Sequence, residues 1–437
     1  MRDLKELTGY DIITEEKIPE VNGTGYILSH KKTKARVLVI ANDDENKVFN
    51  IGFRTPPYDD SGIPHILEHS VLCGSRKYPV KDPFVELAKG SLNTFLNAMT
   101  YSDKTVYPIA SCNEKDFENL MDVYLDAVFY PNIYEHTEIM RQEGWHYELE
   151  TVEGELIYNG VVFNEMKGAF SSPEQQMYSK IEKLLLADTP YKNESGGDPA
   201  AIPTLSQERF LDFHRKYYHP SNSYIYLYGD LDMYKELDYI DKEYLSSFDY
   251  REIDSTIAVQ TAYEQMKDES CFYSIAENES EENQTFLTYN MVVGSSLDKK
   301  QSVAMNILEY AIMDAPGAPL KKALVDAGIG EDVFASFDDG IRQTIFSIVA
   351  RNANMSDKER FVSVIRDTLT DLSGHGEEGK AIDRTSIEAA INNFEFKHKE
   401  ANFGRFPKGL MMGLDAFNTW LYDDASALEM FKLNEVY

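Results

Sequence analysis

A chain of 437 residues exceeds one ordinary domain and is sized for about two to three, and a 43% hydrophobic content is enough to build real cores. Lys and Arg number 43 against 74 Asp and Glu, a formal net charge of −31, which argues against nucleic-acid binding and against adsorption to an anionic membrane. Cys73, Cys112 and Cys271 are isolated thiols, the charged start Met1-Arg2-Asp3-Leu4-Lys5-Glu6 lacks the apolar run of a signal peptide, and no stretch approaches ~18 consecutive apolar residues, so a reducing, cytoplasmic setting is expected.

In chain order, the apolar runs Gly25–Leu28, Ala35–Ile40 and Val48–Phe53 predict three strands separated by polar turns such as residues 42–46. The turn Pro56-Pro57-Tyr58-Asp59-Asp60 delivers the chain into Gly62-Ile63-Pro64-His65-Ile66-Leu67-Glu68-His69. Ser61 and Gly62 can begin a helix there, and Pro64 fits its first helical position, where a missing N–H costs nothing. His65 and His69 stand four residues apart, so a helix points both imidazoles from one face with Glu68 beside them. This H-x-x-E-H order is the inverse of the zincin motif and is a zinc-hydrolase signature. Ile66, Leu67, Val71 and Leu72 make the same helix apolar, and three ionisable groups on a buried helix call for a compensating partner, of which a metal ion is the simplest.

A second helix is expected from Asp82-Pro83 to about Gly90, then two strands, Leu92–Tyr101 and Lys104–Ser111, joined at Ser102-Asp103; Pro108 argues against a central place for the second. Residues 114–130 and 135–147 carry helical patterns, and Glu155–Tyr158 reads as a short strand. A helix from Val161 runs through Gly168, breaks near Ser171-Ser172-Pro173 and resumes towards Leu186, with residues 171–205 as surface excursions. Ser206 caps a helix from Gln207 to Tyr218, followed by the strand Ser223–Tyr228. The polar stretch 239–269 marks a domain boundary, giving expected domains 1–245 and 260–437. Beyond it a repeat surfaces. His65 to Leu72 finds an echo in Asn306 to Met313, a shift of 241, and Thr105 to Ala110 one in Thr344 to Val349, a shift of 239. The second copy has Asn306 and Tyr310 in place of the histidines, so it cannot hold the same metal.

These blocks, with Cys73 to Phe84, Leu92 to Ser111 and Gly160 to Gly168, resemble the presequence-protease branch of the M16 (insulinase-like, inverzincin) zinc metallopeptidases, specifically their N-terminal half. The likeness is strong over residues 20–230 and weaker beyond, where Arg405–Leu410 and Trp420–Tyr422 are similar to the close of that family's second domain. It implies an α+β chain of two tandem related domains, each a mainly antiparallel sheet covered by helices, the mitochondrial-processing-peptidase-like metallohydrolase fold. It also implies Zn2+ as cofactor, with Glu165 as third ligand beside His65 and His69, and Asn97 and Ala98 as positions that hold a substrate backbone as an added strand. The residues alone require some further ligand and leave Glu143 and His146 as competitors for it.

The expected chemistry is endopeptidase action on short unstructured peptides, with zinc acidifying a water to a pKa of about 7 and Glu68 as general base. Family members are roughly twice as long and close a second half over the first. The expected partners are therefore peptides and a C-terminal half or separate partner half, with no nucleic acid and no membrane. Some branches carry an extra acid seven residues before the ligand glutamate; Tyr158 stands there, so that role is not carried over. Two rivals are a lyase related to the autoinducer synthases, which needs a cysteine ligand that neither Cys73 nor Cys112 is placed to provide, and a noncatalytic peptide-holding half, against which the intact His65, Glu68 and His69 argue.

Overall fold

The computed structural model describes residues 2–376, 381–400 and 403–435; residues 377–380, 401–402 and 436–437 of the expected second domain lie outside the described residues. The chain forms two compact units: 1–175 with 186–258 and 403–432, and 176–185 with 259–402 and 433–437. No helix among the described residues is long and apolar enough to cross a membrane.

The first unit is built on β1 (Tyr10–Ile18), β2 (Gly23–His30), β3 (Arg36–Ala41), β4 (Lys47–Arg54), β5 (Asn93–Leu96), β6 (Met99–Thr100), β7 (Lys104–Ser111) and β10 (Ser223–Gly229). They lie in the order β1-β2-β3-β10-β4-β7-β5, with β6 also on β7, and only β3 with β10 runs parallel. The central strands are apolar throughout because both sheet faces are covered. Val37, Val39, Phe49, Ile51, Tyr107, Ile109, Ile225 and Leu227 enter one core, and the intervening Leu38, Ile40, Val48, Val106, Tyr224 and Tyr226 enter another, the period of two that a pleated strand imposes.

The first core receives α1 (Ile63–Val71), α3 (Glu114–Phe129) and α7 (Gln207–Tyr217). The second is filled by Leu410, Phe417, Trp420 and Phe431, on and after helix Lys408–Trp420. This segment, which the sequence reading attached to the second domain, therefore groups with the first unit. Gly409 and Gly413 permit it: a Cβ at either would stand 2.1 Å from Tyr228 or 2.3 Å from Tyr226.

Two local expectations are corrected. β7 is not an edge strand despite Pro108; it lies between β4 and β5 and is buried along its length. A strand residue's N–H and C=O point to the same neighbour, and Pro108 O accepts from Asn97 N at 3.4 Å. The donor that proline lacks thus faces Asn97 O, which takes the Tyr124 hydroxyl instead at 3.2 Å. The helix expected over 135–147 shrinks to α4 (Thr137–Glu143), because Gly144 ends it with φ −85 and ψ −86, and His146 opens the short strand β8 (His146–Glu148).

The second unit repeats the plan in smaller form. Strands β11 (Thr285–Ser295), β12 (Asp332–Asp338) and β13 (Gln343–Ala353) lie antiparallel in the order β11-β13-β12, as β4-β7-β5 do in the first. Gly52 faces Val106 and Ile51 faces Tyr107; Val292 faces Ile345 and Met291 faces Phe346, the same register carried along by shifts of 240 and 239 residues. The helix equivalent to α1 is Lys299–Glu309, which runs on as a π-turn through Tyr310–Asp314. The fold is thus α+β, with two related, helix-covered, mainly antiparallel sheets in tandem.

One histidine of the first core gives a pH prediction. His214 donates through Nε2 to Val128 O at 3.0 Å and accepts from the Tyr134 hydroxyl on Nδ1 at 2.7 Å, so only the neutral ring satisfies both. Burial pushes its pKa from 6.5 down to about 4. A depressed histidine pKa means the unfolded chain binds the proton first, so stability is complete above about pH 6.5, falls as pH drops, and has lost about 3 kcal/mol once pH reaches about 4. Urea unfolding of His214→Gln should show a flatter pH dependence across that window; an unchanged slope would count against the assignment.

Candidate metal centre

α1 starts from Gly62, whose φ of +69 is left-handed, with Pro64 in the first turn. His65, Glu68 and the residues between are buried, and His69 is half-buried. The two imidazole centroids lie 5.0 Å apart. Their Nδ1 atoms are both engaged outward, His65 with Gly196 O at 3.0 Å and His69 with Glu143 Oε2 at 3.3 Å. Those partners fix each ring with its Nε2 free to coordinate, the usual support of a metal-ligating histidine. Both Nε2 atoms face Glu165 Oε2, at 3.8 Å from His65 and 3.7 Å from His69.

Those separations are too long for hydrogen bonds and suit ligands around one ion: two bonds of about 2.05 Å at a tetrahedral angle place ligand atoms about 3.3 Å apart. Two imidazoles and a carboxylate are also the donor set of a catalytic zinc site that leaves one position open, so the residues present fit the metal. Burial alone would lower the pKa of His69, but the Glu143 hydrogen bond and the charges of Glu68, Glu143 and Glu165 outweigh it and raise it. Burial would likewise raise Glu143, and its bond to His69 holds it below the ordinary carboxylate value. The centre is short of positive charge.

Glu165 reaches the histidines from α5 (Val161–Ala169), whose start is tied to the end of α4 by Phe163 N to Gly144 O at 3.4 Å. Of its two sequence competitors, Glu143 stands behind His69, and His146 turns its Nδ1 to Arg141 O at 2.7 Å. Cys73 points its thiol at His69 O, 3.6 Å away, and burial holds it protonated; Cys112 is exposed. Among the described residues neither cysteine belongs to a cluster able to hold an ion.

Glu68 Oε2 accepts a hydrogen bond from Thr100 Oγ1 at 2.7 Å, which fixes the carboxylate against α1. Thr100 lies on the sheet margin, where the expected strand 92–101 is split into β5 and β6 by Asn97 and Ala98. Asn97 spends its N–H and C=O inward, on Pro108 and Tyr124. By alternation Ala98 turns its N–H and C=O out, and among the described residues neither has a backbone partner. An open edge thus lies two residues from the group that holds Glu68.

Sequence reasoning missed Thr100, Glu143's supporting place and Gly196. The last belongs to the stretch 171–205, expected as a surface excursion, in which Leu186, Tyr191, Ile202 and Leu205 are in fact buried. The pair Gly196-Gly197 was the available signal. Gly197 has φ +101, and a Cβ there would lie 2.8 Å from Ile202 and 3.0 Å from the Cα of Gly62. Gly197→Ala should cost about 1–3 kcal/mol of stability through strain and, by shifting the Gly196 carbonyl off His65, weaken zinc binding by about 10-fold. Thermal unfolding and zinc titration check it; unchanged zinc affinity in a folded variant would deny Gly196 an orienting role.

The insulinase peptidase family M16 matches residues 48–179, which include His65, Glu68, His69 and Glu165, and the peptidase M16 inactive domain matches residues 204–394. The chain belongs to the M16 peptidase family. Within M16 it is 53% identical over 416 residues to protein HypA of Clostridium perfringens (strain 13 / Type A), covering 95% of this chain and 42% of that protein. To presequence protease 1, chloroplastic/mitochondrial, of Arabidopsis thaliana it is 42% identical over 426 residues, covering 97% and 39%. The chain therefore spans about two fifths of the length of these relatives. Pitrilysin shares the fold with a TM-score of 0.66 at 17% identity, over 97% of this chain and 45% of that one. A protease from Helicobacter pylori does so with a TM-score of 0.65 at 16% identity, over 95% and 93%. The match of the later residues to an inactive M16 domain agrees with Asn306 and Tyr310 standing where the first copy has histidines.

Proposed function

We propose that this M16 chain is a zinc-dependent endopeptidase acting on short, unstructured peptides, and that it works as one half of a larger clamshell enzyme. The observation that carries this reading is the convergence of His65 Nε2, His69 Nε2 and Glu165 Oε2 on the helix that also holds Glu68. Bound zinc supplies Lewis acidity, polarising a peptide carbonyl and acidifying water. Glu68, held by Thr100, takes the proton of the attacking water and passes it to the leaving amine, with no covalent enzyme intermediate. Glu143 and Gly196 keep the rings oriented. Asn97 and Ala98 lie on an edge that receives an extended peptide as an added strand, which selects unfolded chains because a folded protein has no free strand to offer. A length about two fifths of the relatives' supports a partner half, covalent or separate.

The test is cleavage of a quenched fluorescent peptide library by the chain carrying one equivalent of zinc, alone and with the remaining portion of the enzyme supplied in trans. Cleavage abolished by chelation and restored by zinc is expected. Stoichiometric zinc with no cleavage under either condition would reject the peptidase reading.

A further inference from the structure

A second cluster of metal-type ligands lies apart from the histidine helix. Glu114 and Glu118, in the first turns of α3, and Glu236, in the first turn of α8 (Met233–Glu243), each bring a carboxylate oxygen within 4.8 Å of the other two. Lys235 serves two of them, with Nζ 3.1 Å from Glu114 Oε1 and a closer bond to Glu118. The third keeps one oxygen unpartnered. Glu236 is 2% exposed, and its Oε1 is buried with no hydrogen-bond partner among the described residues.

A buried carboxylate in that condition is costly unless a cation or a proton meets it. Burial, and next the charge of Glu118, push the Glu236 carboxyl up to about 7, against the lowering effect of Lys235, so the cluster lacks positive charge even with the ammonium in place. The three carboxylates carry three formal negative charges, of which the Lys235 ammonium offsets one and a divalent ion taking its place offsets two. The donors are all oxygen, with no imidazole or thiolate, which selects a hard cation over zinc. Calcium suits three carboxylates on two separate helices, because it accepts irregular shells completed by water, whereas magnesium demands a near-ideal octahedron. Lys235 also has somewhere to go: it lines a surface cleft of about 430 Å³ that holds Asp232, Asp238 and Glu243.

We propose that Glu114, Glu118 and Glu236 form a calcium site that ties α3 to α8 within the first unit, with Lys235 withdrawing towards Asp232 and Asp238 when the ion enters. The site is independent of the peptidase reading and stands or falls without it.

The experiment is equilibrium dialysis of the zinc-loaded full chain against radioactive calcium, with a magnesium arm and a parallel thermal unfolding series. One saturable equivalent of calcium and a calcium-dependent rise in Tm are expected, with magnesium competing weakly. Glu236→Gln and Glu118→Gln, which keep side-chain shape, should each weaken calcium binding by about 10-fold or more and remove the Tm shift, and Lys235→Met should tighten binding. No saturable equivalent at millimolar calcium overturns the proposal. So does binding that Glu236→Gln leaves unchanged, which assigns the calcium to the acidic surface at large. A Glu236→Gln protein more stable than the parent, when the parent shows no calcium response, assigns Glu236 a proton instead and overturns it too.

Discussion

Glu68→Gln should lower peptide hydrolysis by about 10²- to 10⁴-fold, the range that a positioned general base contributes, while leaving zinc stoichiometry and the fold unchanged. The substitution keeps the side chain's shape, and its amide oxygen still accepts the Thr100 hydroxyl that lies 2.7 Å from Glu68 Oε2. What it removes is the ability to take a proton from water. Glu68 is not among the three side chains that converge as possible ligands, so zinc content should stay at that of the parent, and the loss should fall in kcat rather than KM. Hydrolysis surviving within 10-fold of the parent would remove Glu68 from the chemistry. Loss of zinc together with activity would instead make Glu68 part of the binding set. The assay is initial-rate cleavage of a quenched peptide with metal content measured on the same samples.

Zinc affinity should fall in two steps that separate a ligand from its support. Glu165→Gln takes away the carboxylate that faces both Nε2 atoms, at 3.8 and 3.7 Å, leaving two neutral imidazoles and one fewer negative charge; stoichiometric zinc should be lost at micromolar concentrations. Glu143→Gln leaves His65, His69 and Glu165 in place and removes only the acceptor behind His69, 3.3 Å from its Nδ1. The loss of such an outer partner costs about 10- to 100-fold in affinity. Competition with a chromogenic chelator reads both. If Glu143→Gln proved the more damaging of the two, the assignments of Glu143 and Glu165 would have to be exchanged, the alternative that the sequence left open.

The helix of the paired histidines was legible because its information is local. A spacing of four residues fixes His65 and His69 on one helical face whatever surrounds them, and Pro64 and Gly62 mark where the helix begins. The duplicated plan was legible for a related reason: apolar patterns carry their register with them, so the matches near residues 306 and 344 survived as sequence echoes of α1 and β7. Glu165 came from the family resemblance, since nothing in the chain between 69 and 165 tells which acid folds back onto α1. Pro108 misled because its missing donor was judged without its neighbour; Asn97 and the Tyr124 hydroxyl settle that account. Gly144 ended a helix that the apolar pattern alone would have continued.

By itself, then, the sequence determined the paired histidines and their glutamate, the alternation that builds a two-faced sheet, and the absence of both histidines from the second copy. Only the tertiary structure decided which groups stand behind those rings. The Gly196 carbonyl lies 131 residues from His65 and the Glu143 carboxylate 74 from His69, and residues 403–432 return to cover the first sheet across an intervening second unit. Contacts at such separations are set by how whole layers pack, because the energy that selects them is spread over cores such as the one around Phe417 and Trp420 rather than written in any local pattern.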